Sequence, residues 1–397
     1  MAPDFQIAVA GGGLAGLTAA LALSKLGFDT AVISPPPPTS LMDFRTSALL
    51  PTSVKFLQSL DLWGMIAEES QPFWTMRLID DAASTRGHGA VTDFTSDAQT
   101  EEPLAYNVPN AGLHRALSKS LTETSVTFIR ATVADIELEG CPLIKLSNGQ
   151  TITAGLLVAA DGRHSICREK AGIHCYHIPG RQFAITCQFE HSQSHKAIST
   201  EFQRRGGPFT FVPMVGNKSS LVWIEPQEKG EDLIKLSQAD LAKQIQRRMR
   251  GYLGQVELLS KPQGFPIRSQ VAQKFYAPGL ALVAEAAHVL PPTGAQGLNL
   301  SLTDIATLTD IVSESVDMVP NLSDSSLLSL YESRRLPDVL ARFGFSNSLN
   351  LLTAAKSPFG QTVRRTGLAL LRGLPPVKRQ LTRLGLQPLG YIPSSMQ

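Results

Sequence analysis

Cysteine is scarce in this sequence: four residues in 397, Cys141, Cys167, Cys175 and Cys187. None forms a CxxC pair, and four is far below the density of a disulfide scaffold, which excludes a stapled secreted domain. The pattern reads as reduced thiols in a cytoplasmic protein. Long apolar runs are missing too: no segment reaches the roughly 20 residues a membrane-spanning helix needs. The uncharged stretch from Gln6 to Ser24 is preceded only by Asp4 and carries four glycines, so it lacks the basic start of a secretory signal. Net charge is only +2, which removes any general pull toward nucleic acid. Acidic residues are absent from Val339 to Gln397, where eight Lys and Arg stand between Arg342 and Arg383. This basic segment is suited to an anionic surface.

What is present is enough for a large core, with 43% apolar and 18% charged residues, and the length suits two domains. Gln6–Ala10 reads as a short buried strand, Leu14–Leu26 as an alanine-rich helix stopped by Gly27, and Thr30–Ile33 as a second strand. Between the first strand and the helix lies Gly11-Gly12-Gly13-Leu14-Ala15-Gly16, a G-x-G-x-x-G turn. Gly11 permits the tight turn, Gly13 lets the backbone approach a pyrophosphate, and Gly16 allows close helix–strand packing. Leu14 and Ala15 open the helix, whose free N–H groups attract phosphate. The second strand ends at Ser34, where an acidic residue commonly binds ribose hydroxyls; serine offers a weaker bond than a carboxylate. Pro35–Pro38 is a stiff loop that cannot pair in a sheet.

The middle of the chain changes character. Phe183–Phe189, Ser199–Gln203, Phe209–Pro213 and Ser219–Ile224 read as strands of an antiparallel sheet, and Ser237–Gly251 as a helix. A strand at Leu280–Ala284 then leads through a glycine-containing turn into a helix from Leu298 to about Val312. Asp161-Gly162 follows the apolar strand Leu156–Ala160, at the edge where open α/β sheets bind ligands. Arg45 supplies a fixed cation with a fork of donors.

Taken together these segments resemble the flavin-dependent aromatic monooxygenases, above all the ubiquinone-biosynthesis hydroxylases. The likeness runs over about residues 5–340. It is carried by the glycine turn, by Arg45-Thr46-Ser47-Ala48-Leu49 with Leu60-Asp61-Leu62-Trp63-Gly64, and by Asp161-Gly162-Arg163-His164-Ser165-Ile166-Cys167-Arg168. Gly207-Pro208-Phe209 with Val222-Trp223, and Glu285-Ala286-Ala287-His288 with Pro292, Gln296-Gly297-Leu298-Asn299 and Asp304, complete it. The chain departs from that pattern at Ala284-Glu285, where the family has Gly-Asp, and at Ala295, where it has glycine.

The resemblance implies an α/β fold like that of para-hydroxybenzoate hydroxylase: a Rossmann-like FAD-binding domain (residues 1–74, 106–172 and 262–335) with an inserted antiparallel-sheet substrate domain (75–105 and 173–261). A basic helical segment, 336–397, follows. It implies FAD held by Gly11, Gly13, Leu14, Ala15, Gly16, Ser34, Arg45, Asn110, Asp161, Gly162, Glu285, Pro292, Gly297, Leu298 and Asn299. Glu285 would accept a ribityl hydroxyl, and the helix start at Gln296–Asn299 would face the flavin. NAD(P)H would act as a transient reductant, since no second glycine fingerprint is visible. Partners would be a lipophilic phenolic substrate and O2, with hydroxylation through a flavin C4a-hydroperoxide, and the cytoplasmic protein would meet the inner membrane peripherally or join a biosynthetic complex. The chemistry rests mainly on the flavin, and His288 reads as structural rather than as a general base. A reductase or a non-catalytic flavoprotein subunit of a complex is the competing reading, and the altered Ala284-Glu285 is its support. A halogenase would carry a Trp-x-Trp-x-Ile segment, which is lacking.

Overall fold

The structure is a computed structural model that describes residues 2–36, 43–81, 90–96, 102–204, 206–292, 296–315, 322–354 and 389–397. Strand β1 (Phe5–Ala10), helix α1 (Leu14–Lys25) and strand β2 (Thr30–Ile33) form the expected βαβ unit, with β1 and β2 parallel and Ala10 opposite Ile33. On its other side β1 pairs, also in parallel, with Thr151–Ala159, which in turn carries Leu280–Leu282. Ile7 through Ala10 are buried, as a parallel strand covered on both faces requires. Helix α1 packs closely on the turn before it because Gly16 has no Cβ: one would stand 2.0 Å from the Gly11 carbonyl oxygen. Gly27 ends the helix at φ +89°, a left-handed conformation that costs glycine little.

The second sheet is built from Gln182–His191, Lys218–Pro226, Gly207–Met214 and Ile198–Arg204, close to the expected strands and extended at their ends. Period-two alternation divides its faces. Ile185, Cys187, Phe189, Leu221 and Trp223 pack with Leu241, Ile245 and Met249 of the helix Gln238–Met249. That helix is capped by Ser237, whose hydroxyl accepts the Asp240 N–H. Ala184, Thr186, Ser220 and Val222 point the other way, toward the first sheet.

Three features of the structure add detail to these expectations. The second sheet is not antiparallel throughout: Thr75–Asp80, arriving from a distant part of the chain, joins Ile198–Arg204 in parallel. Gln263–Pro266, just past the expected boundary at 262, pairs with Gln182–His191 of the second sheet. The boundary placed at 336 cuts a continuous helix, Ser325–Ala354, which tolerates Pro337 in its interior. The basic positions from Lys356 to Arg383, Ala295, and part of the proline loop lie outside the described residues. Residues beyond them are firmly seated: Met396 is buried, and Asp310 accepts from the Tyr391 hydroxyl and from both the backbone N–H and hydroxyl of Ser394. No helix of the described residues is long and apolar enough to cross a membrane.

Candidate active site

The parallel strands all end on one side, and the chain segments singled out in the sequence meet there. The order places β1 between β2 and Thr151–Ala159, so the connections leave β1 and its neighbour in opposite directions, opening a crevice at their C-terminal ends. Gly11 (φ +119°) turns so closely over the end of Thr151–Ala159 that a Cβ there would meet the Ala160 carbonyl at 2.3 Å. A Cβ on Gly12 would strike the Ser34 hydroxyl at 2.1 Å, so Ser34 walls the turn rather than standing clear of it. Its own hydroxyl donates to the Pro35 carbonyl at 3.0 Å.

Gly13 differs from its neighbours. Its φ is −78°, and a Cβ there would meet nothing within 4 Å. Packing and backbone strain therefore do not explain glycine at this position, whereas a ligand lying against the backbone does. The N-terminus of α1 carries no side-chain cap and no acidic residue in its first turn, leaving its N–H groups and positive dipole end for an anion.

Asp161 supplies a second sign of a missing partner. Its Oδ2 accepts the Cys167 N–H at 3.2 Å, while Oδ1 is buried without a hydrogen bond. A buried carboxylate oxygen left unpaired is costly, and a ligand hydroxyl would repair it. The rest of this segment braces the site. Ser165 caps the short helix Ile166–Lys170, and Arg168 donates to the carbonyls of Ala286 and Arg163, tying the Asp161 turn to the Ala284–Ala286 turn. The cradle thus fits a dinucleotide: open backbone at Gly13 for phosphate, and an unpaired acceptor at Asp161 for a hydroxyl.

Beside the cradle, between the two sheets, lies a cavity of ≈ 230 Å³. Arg45, Arg163, Glu285 and Pro292 line it from the first domain, and Thr186, Ser220 and Val222 from the second. Arg45 makes a two-pronged pair with Asp43 at 2.8 Å, and that hydrogen bond raises its pKa. Asn110 starts its helix by donating its N–H to the Arg45 carbonyl, and its side-chain oxygen accepts from Ser47. Glu285 is half-exposed and lies 3.5 Å from Arg163. The helix Gln296–Ser315 begins four residues past Pro292 and has Gly297 and Leu298 in its first turn. The side chain of Asn299, in the same turn, reaches the neighbouring strand: its oxygen accepts from Leu50 N–H and the Ser53 hydroxyl, and its nitrogen donates to the Ala48 carbonyl. It staples the helix to the strand Thr46–Leu49 and the helix after it.

Two features escaped the sequence reading. Asp304, fully buried, accepts from Ala284 N–H, His288 Nε2 and Arg335 Nε, and Arg335 continues to Asp338. Burial pushes the Asp304 carboxyl up, but His288 and Arg335 outweigh it and hold its pKa below the ordinary value. His288 is therefore a packed structural residue. The other feature is a chain of hydroxyls, Thr46 to Ser220, at the cavity wall. Only three-dimensional proximity reveals either one.

Comparison with known proteins agrees with this geometry. Residues 4–342 match the family model described as FAD binding domain. The chain is 32% identical over 400 residues to ubiquinone hydroxylase UbiL of Rhodospirillum rubrum, covering 98% of this chain and 91% of the relative. It is 29% identical over 397 residues to the 3-demethoxyubiquinol 3-hydroxylase of Escherichia coli, covering 96% of this chain and 98% of that one. Among solved structures, p-nitrophenol 4-monooxygenase PnpA from Pseudomonas putida superimposes with a TM-score of 0.77 at 16% identity, covering 98% of this chain and 100% of that one. Klebsiella pneumoniae HpxO, solved with FAD and uric acid, gives 0.76 at 18% identity, covering 96% and 97%. The chain belongs to the FAD-binding domain family, as a flavin-dependent monooxygenase related to the ubiquinone hydroxylases.

Proposed function

We propose that the protein hydroxylates the ring of a lipophilic, polyprenyl-bearing phenol in ubiquinone biosynthesis, taking electrons from NAD(P)H and oxygen from O2. The observation that carries this reading is the placement of the cavity. It opens between the flavin-domain residues Arg45, Glu285 and Pro292 and the inward face of the second sheet, and it is large enough for a substituted aromatic ring. Gly11 to Gly16 and Asp161 hold the dinucleotide, with Ser34, Arg45 and Asn110 around its ribose and phosphates. Gly162, Glu285, Pro292 and the helix start at Gly297 and Leu298 surround its ring system, and Asn299 supports that helix start from behind. Bound flavin supplies the redox chemistry and the activation of oxygen. The chain's own part is to orient the ring, to exclude water with Val222, Phe265, Ile267 and Leu290, and to offer helix N–H groups to developing negative charge.

The similarity to UbiL and to the 3-demethoxyubiquinol 3-hydroxylase supports the substrate class. The cationic segment after Val339 supports contact with the membrane surface in which such a substrate resides. Metabolite analysis of a deletion strain tests the reading: accumulation of a ring-unhydroxylated quinone precursor supports it, and an unchanged quinone profile overturns it. Purified protein should be yellow and should couple NAD(P)H oxidation to hydroxylation.

A further inference from the structure

The inward face of the second sheet is apolar at Ala184, Val222, Ile224 and Ile267. Ser220 interrupts it, 5% exposed and on the cavity wall. Its hydrogen bonds can be counted. Asn107, also buried, donates through Nδ2 to the Pro213 carbonyl at 2.8 Å and to Ser220 Oγ at 3.2 Å. A carbonyl oxygen only accepts, so the amide orientation is fixed and both of its N–H groups are used. Ser220 Oγ therefore accepts from Asn107.

Thr46, which also lines the cavity, has its hydroxyl oxygen 2.7 Å from Ser220 Oγ. One of the two hydroxyls donates to the other. If Thr46 donates, the Ser220 hydrogen is left over; if Ser220 donates, the Thr46 hydrogen is left over. Either way the pair holds one spare hydroxyl hydrogen. Among the described residues neither hydroxyl has a further partner, and both face the cavity. Ser220 is buried and Thr46 half-buried, so a hydroxyl hydrogen left without an acceptor is costly, and the cavity both residues line is where its acceptor would lie.

We propose that the Thr46–Ser220 hydroxyl pair donates a hydrogen bond to an oxygen on the aromatic ring of the substrate, fixing the ring's rotation in the cavity. This rests on the aromatic hydroxylation reading and deepens it, because it makes a ring oxygen a requirement for binding. The pair has no attached base, so it seats the ring oxygen and does not take its proton.

The test compares 4-propylphenol with propylbenzene, which lacks only the oxygen, by calorimetric titration of the flavin-loaded protein. Wild type should prefer the phenol by about 5-fold or more, the value of one net hydrogen bond. The Thr46→Val/Ser220→Ala double variant should bind the two probes within about twofold, through loss of phenol affinity at unchanged propylbenzene affinity. Should the double variant not fold, Thr46→Val/Ser220→Cys keeps the volume and weakens the donor, with the same expected loss. Equal binding of both probes by wild type, or a preference that survives in the double variant, overturns the assignment while leaving the hydroxylation reading in place. Failure of wild type to bind either probe overturns both.

Discussion

Asp304 Oδ2 accepts the backbone N–H of Ala284 at 3.0 Å, and Ala284 sits at φ +57°, in the left-handed region. A side chain there costs of order 1 kcal/mol, which the anchored carboxylate offsets. Ala284→Gly should therefore relax the turn without loss of flavin. The expected result is a melting temperature equal to or above that of wild type, with an unchanged flavin-to-protein ratio. A clear fall in either would show that the alanine methyl is needed for packing.

Removing the anchor should be far more harmful. Asp304→Asn removes one of the two carboxylates around buried Arg335 and leaves Asp338 as its remaining partner, a loss that should cost about 1–3 kcal/mol. The native pair also has a pH signature. Because the folded Asp304 carboxyl is held below the ordinary value of 3.8, its stabilisation is present above that pH and lost as pH falls through the folded pKa. Chemical denaturation from pH 3 to 7 should show wild type losing stability in the acid limb, with the variant less stable at pH 7 and flatter below about pH 4.

The glycine turn separates two kinds of damage. Gly11→Ala and Gly16→Ala would place a Cβ within 2.3 Å and 2.0 Å of carbonyl oxygens, so both should lower the melting temperature of the apoprotein. At Gly13 a Cβ has open space, so Gly13→Val should leave the apoprotein's melting temperature nearly unchanged while abolishing flavin retention. A Gly13→Val protein with a full flavin complement would move the pyrophosphate elsewhere.

Glu285 faces the cavity as a half-exposed carboxylate near Arg163. Glu285→Ala should weaken FAD by about 10-fold or more, the value of a hydrogen bond to a charged group, and Glu285→Asp should restore most of it. Flavin titration of the apoprotein measures both. Equal affinities for all three proteins would remove Glu285 from the flavin site.

The cations between Lys356 and Arg383 should bring the protein to anionic but not neutral vesicles, with binding lost at high salt. The deletion must be internal, because residues 391–397 lock onto Asp310 and a simple truncation would unseat them as well. Flotation of an internal deletion equal to that of wild type would refute the contact.

The βαβ unit was legible because its signals are local: a buried strand, a glycine turn with one reason for each glycine, and a helix stopped by Gly27. The sheet strands were legible from the Gly, Pro and Asn turns that separate them. What escaped is long-range. Nothing near Thr75 announces a parallel partner more than a hundred residues on, and nothing near Asn299 announces that its amide reaches Leu50, Ser53 and Ala48. Ser220 reads in sequence as an ordinary strand serine. Its importance depends on Asn107 and Thr46, which only the fold brings to it.

The central sheet draws Phe5–Ala10, Thr151–Ala159 and Leu280–Leu282 side by side from three far-apart stretches of chain. A nascent chain on the ribosome meets these pieces in that order. Until Leu282 has emerged, Thr151–Ala159 has an open edge and the turn that carries Glu285 does not exist. High contact order slows such closure and exposes apolar strands while it lasts. Cofactor capture must therefore come late in synthesis, after the last third of the chain has closed the sheet.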